Sequence, residues 1–266
     1  LYIMERRNAW LSYNEADEKA LEKLAKDYRT FLDNGKTERE CVSELSREAE
    51  AAGYVSLDKK LASGEKIQTG DKIYAVGMKK IMALFHIGED PMEKGMNILG
   101  AHIDSPRLDV KQNPLYEDTD LAYLDTHYYG GIKKYQWVTV PLAIHGVVAK
   151  KDGTIVDINI GEDDNDPVFC VTDLLIHLAQ EQMQKNAAKV IEGENLDILV
   201  GSIPLDGAEK DAVKANVLKI VGKKYGIEEE DFLSAELEVV PAGRAREAGF
   251  DGSMVAAYGQ DDKVCA

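Results

Sequence analysis

The chain has 266 residues, 44% hydrophobic and 30% charged, which is material for one large domain or two ordinary ones and too apolar for wholesale disorder. Forty-eight Asp and Glu against 32 Lys and Arg leave a net charge of −16, which repels phosphate backbones and anionic bilayers and argues against nucleic-acid and membrane partners. Cys41, Cys170 and Cys265 form no Cys-x-x-Cys pair, and no apolar run reaches the roughly 20 residues of a membrane span, so a reducing cytoplasmic setting is expected.

The first 53 residues read as two helices. Leu21, Leu24, Ala25, Tyr28, Phe31 and Leu32 recur at helical spacing after Asn14 and Asp17, and Asn34-Gly35 ends the run. Thr37-x-x-Glu40 has the form of a capping box ahead of Val42, Leu45, Ala49 and Ala52, with Gly53 as the stop. Two short apolar runs, 73–76 and 81–85, then predict paired strands. A third run at 97–101 predicts a buried strand leading into His102-Ile103-Asp104, the kind of carboxyl-terminal strand end where α/β enzymes place their sites.

Residues 111–232 differ in texture and read as an insertion. Residues 137–149 form a long β-type run, Lys150-Lys151-Asp152-Gly153 a turn, and 154–160 a second strand. An acidic loop at 161–167 precedes a helix expected over 172–184, and another is expected over 209–225, ended by Gly226. Residues 235–240 return to strand-like text before Tyr258-Gly259-Gln260-Asp261-Asp262-Lys263.

Two constellations carry chemistry. On a strand, His102 and Asp104 project to one side, so the imidazole can bind a metal while the carboxylate binds it too or orients the ring; a strand-end histidine bonded to a neighbouring acid has the same spacing. The adjacent carboxylates of Asp261 and Asp262 repel unless a cation compensates, and one carboxylate can bridge two metal ions; a solvated acidic turn looks the same in sequence.

Gly100-Ala101-His102-Ile103-Asp104-Ser105-Pro106-Arg107-Leu108-Asp109-Val110-Lys111 resembles the first metal-ligand motif of the aspartyl-aminopeptidase family of two-zinc aminopeptidases. Tyr129-Gly130-Gly131 with Trp137, and Asp166-Pro167-Val168 through Leu174-Leu175-Ile176-His177-Leu178, are similar to the family's inserted dimerisation domain. Gly259 to Lys263 stands where the family has its bridging aspartate, and Glu5-Arg6-Arg7-Asn8-Ala9-Trp10 and the 31–40 stretch fit bacterial members. The resemblance runs in order over the whole chain.

It implies an α/β fold, a zinc-peptidase-like α/β/α sandwich built from residues 1–110 and 233–266 and interrupted by a β-rich dimerisation domain at 111–232. It implies that His102 ligates one of two zinc ions and that Asp104 fixes the tautomer of His102. Asp262 would bridge both metals, chosen over Asp261 because a polar and then an aliphatic residue follow it, here Lys263-Val264; Asp261 is then structural. His177 is expected to contact substrate in a neighbouring subunit's site, ahead of His145, because the strand-like 168–171 run precedes it as in the family. His86 is expected to be core or surface, and His127 to lie in a loop.

The implied activity is removal of the amino-terminal residue, acidic or else neutral or hydrophobic, from peptides with a free amino terminus, by a homo-oligomer of dimers such as a dodecamer. The family's general-base glutamate and later ligands follow the bridging aspartate and have no counterpart here, so the chain is expected to be the amino-terminal part of a longer polypeptide. A non-catalytic assembly protein retaining the insert, or another metal-dependent amide hydrolase, are the alternative functions.

Overall fold

A computed structural model describes residues 7–266; Glu5 and Arg6 of the opening motif lie outside the described residues. Helix α1 (Glu15–Asn34) begins at a reciprocal capping box between Asn14 and Asp17, and α2 (Glu38–Ala51) at one between Thr37 and Glu40. Strand β1 (Val55–Ser56) and helix α3 (Leu57–Ser63) lead to the hairpin of β2 (Lys72–Gly77) and β3 (Ile81–His86). In that sheet β1 runs parallel to β2 and β2 antiparallel to β3, and the exposed His86 ends it.

Most of the core lies on a second, six-stranded sheet. Its first hairpin joins β4 (Arg107–Asp118) to β5 (Leu121–Tyr129) through Thr119 and Asp120, both at positive φ, 48° and 61°. Two such residues twist the chain with the same hand as the strands, as a two-residue hairpin requires. Next come β6 (Leu142–Ala149), β7 (Ile155–Ile160) and β8 (Ile198–Gly201), then helix α4 (Ala212–Tyr225) and strand β9 (Ala235–Pro241). A hairpin of β10 (Arg246–Ala248) and β11 (Met254–Ala256) and the short helix α5 (Gln260–Lys263) complete the described elements.

The large sheet has the order β7-β6-β9-β4-β5-β8, every neighbouring pair antiparallel. Leu108, Leu124, Leu142, Ile144, Ile198, Leu237 and Val239 bury one continuous cluster, and Val213 of α4 packs into it. Strand β9 sits between β6 and β4, so the 235–241 segment is built into the sheet formed by 107–201. At Gly146 the backbone φ is 141°, and a Cβ there would come within 1.9 Å of the Glu236 carbonyl oxygen on β9. Only glycine allows the two strands to approach so closely.

The mixed α and β character expected from sequence is found, with four differences in detail. Residues 97–101 are not a strand: among the described residues no strand pairs with them, and Ile98 and Leu99 are 79% and 100% exposed. A strand cannot persist without a neighbour to take up its backbone groups. Residues 172–184 do not form the expected helix but turns and a 3-10 turn at Gln182–Gln184. Leu174, Leu175, Ile176 and Leu178 are all exposed there, and a helix this short needs its apolar face buried to be stable. The strand expected from Trp137 starts only at Leu142, with a bridge between Val138 and Val171 before it. His127 lies in β5 rather than a loop, exposed.

Candidate functional site

His102 and Asp104 stand on an irregular segment rather than at a strand end, yet they meet as the spacing suggested. Nδ1 of His102 is 3.2 Å from Oδ1 of Asp104. An ionised carboxylate only accepts, so Nδ1 carries a proton, and in the neutral ring Nε2 is then the nitrogen with the lone pair. The imidazole is 61% exposed, and Nε2 makes no hydrogen bond among the described residues.

The other oxygen of Asp104 accepts a 2.7 Å hydrogen bond from the Tyr129 hydroxyl. That bond, with a smaller contribution from His102, holds the Asp104 carboxyl below its ordinary range. Tyr129 ends β5 and pairs in register with Arg107 at the start of β4, whose guanidinium lies 4.2 Å from the phenol ring centroid. Arg107 is buried and bonds Glu38 of α2 at 2.9 Å and Asp109 at 2.8 Å.

Glu238 of β9 lies 3.2 Å from the same guanidinium, with that oxygen out of line for a hydrogen bond. Of the three acids around this guanidinium only Glu238 is buried, and its other cation, Lys80, lies 3.9 Å away. Burial and the neighbouring Glu38 push the Glu238 carboxyl up to about 8 despite Arg107. Burial also works against the charged Arg107, but the surrounding carboxylates outweigh it and hold the guanidinium protonated.

The acidic pair at 261 and 262 comes in beside this segment. The Tyr258 hydroxyl donates to the Pro106 carbonyl at 2.9 Å, and Gly259 leaves room for the Ser105 hydroxyl, 2.8 Å from where a Cβ would stand. Asp262 is half-buried on α5 and adds negative charge beside Tyr258 and Lys263, whereas Asp261 is exposed. Lys263 is 1% exposed, donates to the Lys36 carbonyl at 3.1 Å and lies 5.1 Å from the Tyr258 ring; burial pushes its ammonium pKa down. The two motif-bearing segments, 156 residues apart from Pro106 to Asp262, therefore run alongside one another.

The histidines separate clearly. His145 is 1% exposed and locked between Glu40 at 2.7 Å and Glu162 at 3.0 Å. His177 is exposed in the turn that replaced the expected helix, and it makes no hydrogen bond to the His102 or Asp262 segments. Tyr129 and Arg107 lay within motifs read from the sequence, but their roles depend on a strand register that sequence does not display.

A zinc ion fits the donor chemistry in part. His102 offers a free imidazole nitrogen oriented by a carboxylate, the usual arrangement of a ligand histidine. Among the described residues, however, no group of three or more His, Cys, Asp or Glu side chains could hold a metal ion, so they do not make a closed four-donor shell. No helix among them is long and apolar enough to cross a membrane.

Comparison with known proteins gives a consistent result. Residues 31–266 match a family described as aminopeptidase I zinc metalloprotease (M18). A probable M18 family aminopeptidase 1 of Clostridium acetobutylicum is 62% identical over 265 residues, covering 99% of this chain and 57% of that relative. The crystal structure of an M18 family aminopeptidase from Thermotoga maritima superposes with a TM-score of 0.91 at 46% identity, over 99% of this chain and 56% of that one. Aminopeptidase I from Clostridium acetobutylicum gives 0.89 at 60% identity, over 99% and 58%. The chain thus spans just over half the length of the relatives it matches.

Proposed function

The chain belongs to the M18 family of aminopeptidase I zinc metalloproteases, and on that premise we propose that it forms part of a zinc-dependent aminopeptidase that removes the amino-terminal residue from peptides. The observation carrying this reading is the oriented imidazole of His102, with one nitrogen held by Asp104 and the other free, beside the segment that bears Asp261 and Asp262. His102 would bind one of two zinc ions, Asp104 would fix its tautomer, and Asp262 would bridge the pair. Zinc, when bound in such enzymes, supplies Lewis acidity toward the scissile carbonyl and the attacking water. This chain's own residues hold the ring in one tautomer and keep the Asp104 carboxylate ionised.

The finer architecture belongs to the same proposal: a zinc-peptidase-like α/β/α domain from residues 1–110 and the chain after β9, with an inserted dimerisation domain that extends past the expected 111–232 to include β9, because that strand lies inside the large sheet. The exposed apolar run of Leu174, Leu175, Ile176 and Leu178 around His177 supports a surface that meets a second subunit. There His177 would contact the neighbour's substrate, within a homo-oligomer of dimers. The burial of His145 between two carboxylates supports assigning that role to His177. The amino-terminal side chain removed is proposed to be acidic, with neutral or hydrophobic residues as the other class.

The test is zinc content and hydrolysis of a panel of aminoacyl substrates by the full-length protein, comparing wild type with His102→Ala, Asp262→Ala and Asp261→Ala. Loss of zinc and activity in the first two, with Asp261→Ala spared, is expected. Full zinc and full activity in His102→Ala would remove the basis of the reading. Loss confined to Asp261→Ala would transfer the bridging role to that residue.

A further inference from the structure

Residues 95–106 contain no helix or strand, so no backbone ladder holds His102 and Asp104 in place. A metal ligand on irregular chain needs another source of rigidity, because a ring free to turn loses the orientation that binding requires. The hydrogen bonds identify that source. Each oxygen of Asp104 has one partner: Oδ1 takes the His102 Nδ1 proton at 3.2 Å and Oδ2 the Tyr129 hydroxyl proton at 2.7 Å. Rotation of the carboxylate breaks both bonds together.

We propose that Tyr129 is a positioning residue, whose hydroxyl fixes the Asp104 carboxylate and through it sets the tautomer and direction of the His102 ring. This rests on the reading of His102 as a zinc ligand. The phenol is a fixed reference because it belongs to the sheet rather than to the segment it steadies. Tyr129 stands opposite Arg107 in the β4–β5 ladder, its ring is covered by the guanidinium at 4.2 Å, and Glu38 and Asp109 clamp that guanidinium from α2 and β4. The chain of contacts runs from helix α2 through Arg107, Tyr129 and Asp104 to the free nitrogen of His102, and the shortest hydrogen bond in it is the one from Tyr129.

Tyr129→Phe removes one oxygen atom and keeps the ring against Arg107. In full-length protein stripped of zinc, ¹⁵N resonances of the His102 ring report its tautomer directly. Wild type is expected to show the Nδ1-protonated form alone, and Tyr129→Phe a mixture of the two. Zinc affinity is expected to fall about tenfold in the variant, the loss typical when a ligand's supporting partner is removed. With zinc restored, kcat falls by a similar factor while KM stays within about twofold.

A single, unchanged tautomer in Tyr129→Phe overturns the proposal. So does the Nε2-protonated form in metal-free wild type, which requires no variant to fold. The underlying zinc reading fails separately, by His102→Ala retaining full zinc. A merely structural tyrosine would shift the melting temperature and leave the tautomer alone.

Discussion

Nδ1 of His145 lies 2.7 Å from the Glu40 carboxylate, tying β6 to the first turn of α2 across 105 residues of sequence. Nε2 of the same ring reaches Glu162 at 3.0 Å, so both nitrogens face acids. Lys36 adds a second buried cation, donating to Glu162 at 2.6 Å and to the carbonyls of Pro241 and Gly243 at 2.9 and 2.8 Å. Asn159 of β7 also reaches Glu40, and Glu238 of β9 is the register partner of His145 on its other side. With His145 protonated, two cations and two carboxylates balance in a buried knot joining the amino-terminal helices to the large sheet.

The knot makes stability depend on pH. Burial alone would lower the His145 pKa, but its bonds to Glu162 and Glu40 win and raise it to about 9. A raised imidazole contributes fully below its unfolded value of about 6.5, and that contribution is lost as pH rises through about 9. His145→Gln is expected to cost about 3 kcal/mol at pH 6, since Glu162 then keeps Lys36 as its only cation and Glu40 keeps backbone N–H groups but no cation. The wild-type-minus-variant difference should shrink steadily towards pH 10. Urea denaturation at pH 6, 7.5 and 9.5 checks this; a difference independent of pH contradicts the protonated knot.

Gly146→Ala is expected to destabilise the protein by about 3 kcal/mol or more. The new methyl would meet the Glu236 carbonyl oxygen at 1.9 Å on a backbone whose φ is 141°. Strands β6 and β9 would have to separate at the middle of the sheet. A melting curve followed by circular dichroism measures the loss, and a neutral result would place the two strands farther apart.

Cys41 is predicted to resist thiol reagents in the native state. It is fully buried, and burial pushes its thiol up to about 12, with only partial relief from the nearby Lys263. Labelling with a disulfide reagent at pH 8 followed by peptide mapping should leave Cys41 unmodified until denaturant is added, while exposed Cys265 reacts at once.

If His177 contacts substrate across a subunit boundary, His177→Ala should raise KM several-fold with zinc content unchanged. Mixing this variant with His102→Ala subunits provides the sharper measurement. Hybrid assemblies should recover a fraction of sites with the wild-type KM that neither parent shows, because some sites then combine an intact His102 with a neighbour's intact His177. No recovery would confine His177 to a role within its own subunit.

Local signals in the sequence sufficed where the physics is local. The capping boxes at Asn14 and Thr37, the β2–β3 hairpin, the turn at 150–153 and the glycine stop at Gly226 all depend on residues within a few positions of each other, and each was found. The pairing of His102 with Asp104 was equally readable, because a spacing of two brings the side chains together even without a strand.

Tertiary structure decided the rest. Whether 97–101 becomes a strand or 172–184 a helix depends on a packing partner, and periodicity alone does not reveal one. The burial of His145 among acids from α2 and the 161–167 loop, and the support of Asp104 by Tyr129, arise from contacts 17 to 105 residues apart. Sequence named the groups that can bind a metal or carry charge; only the strand register and the folding of distant segments onto one another determined which of them meet.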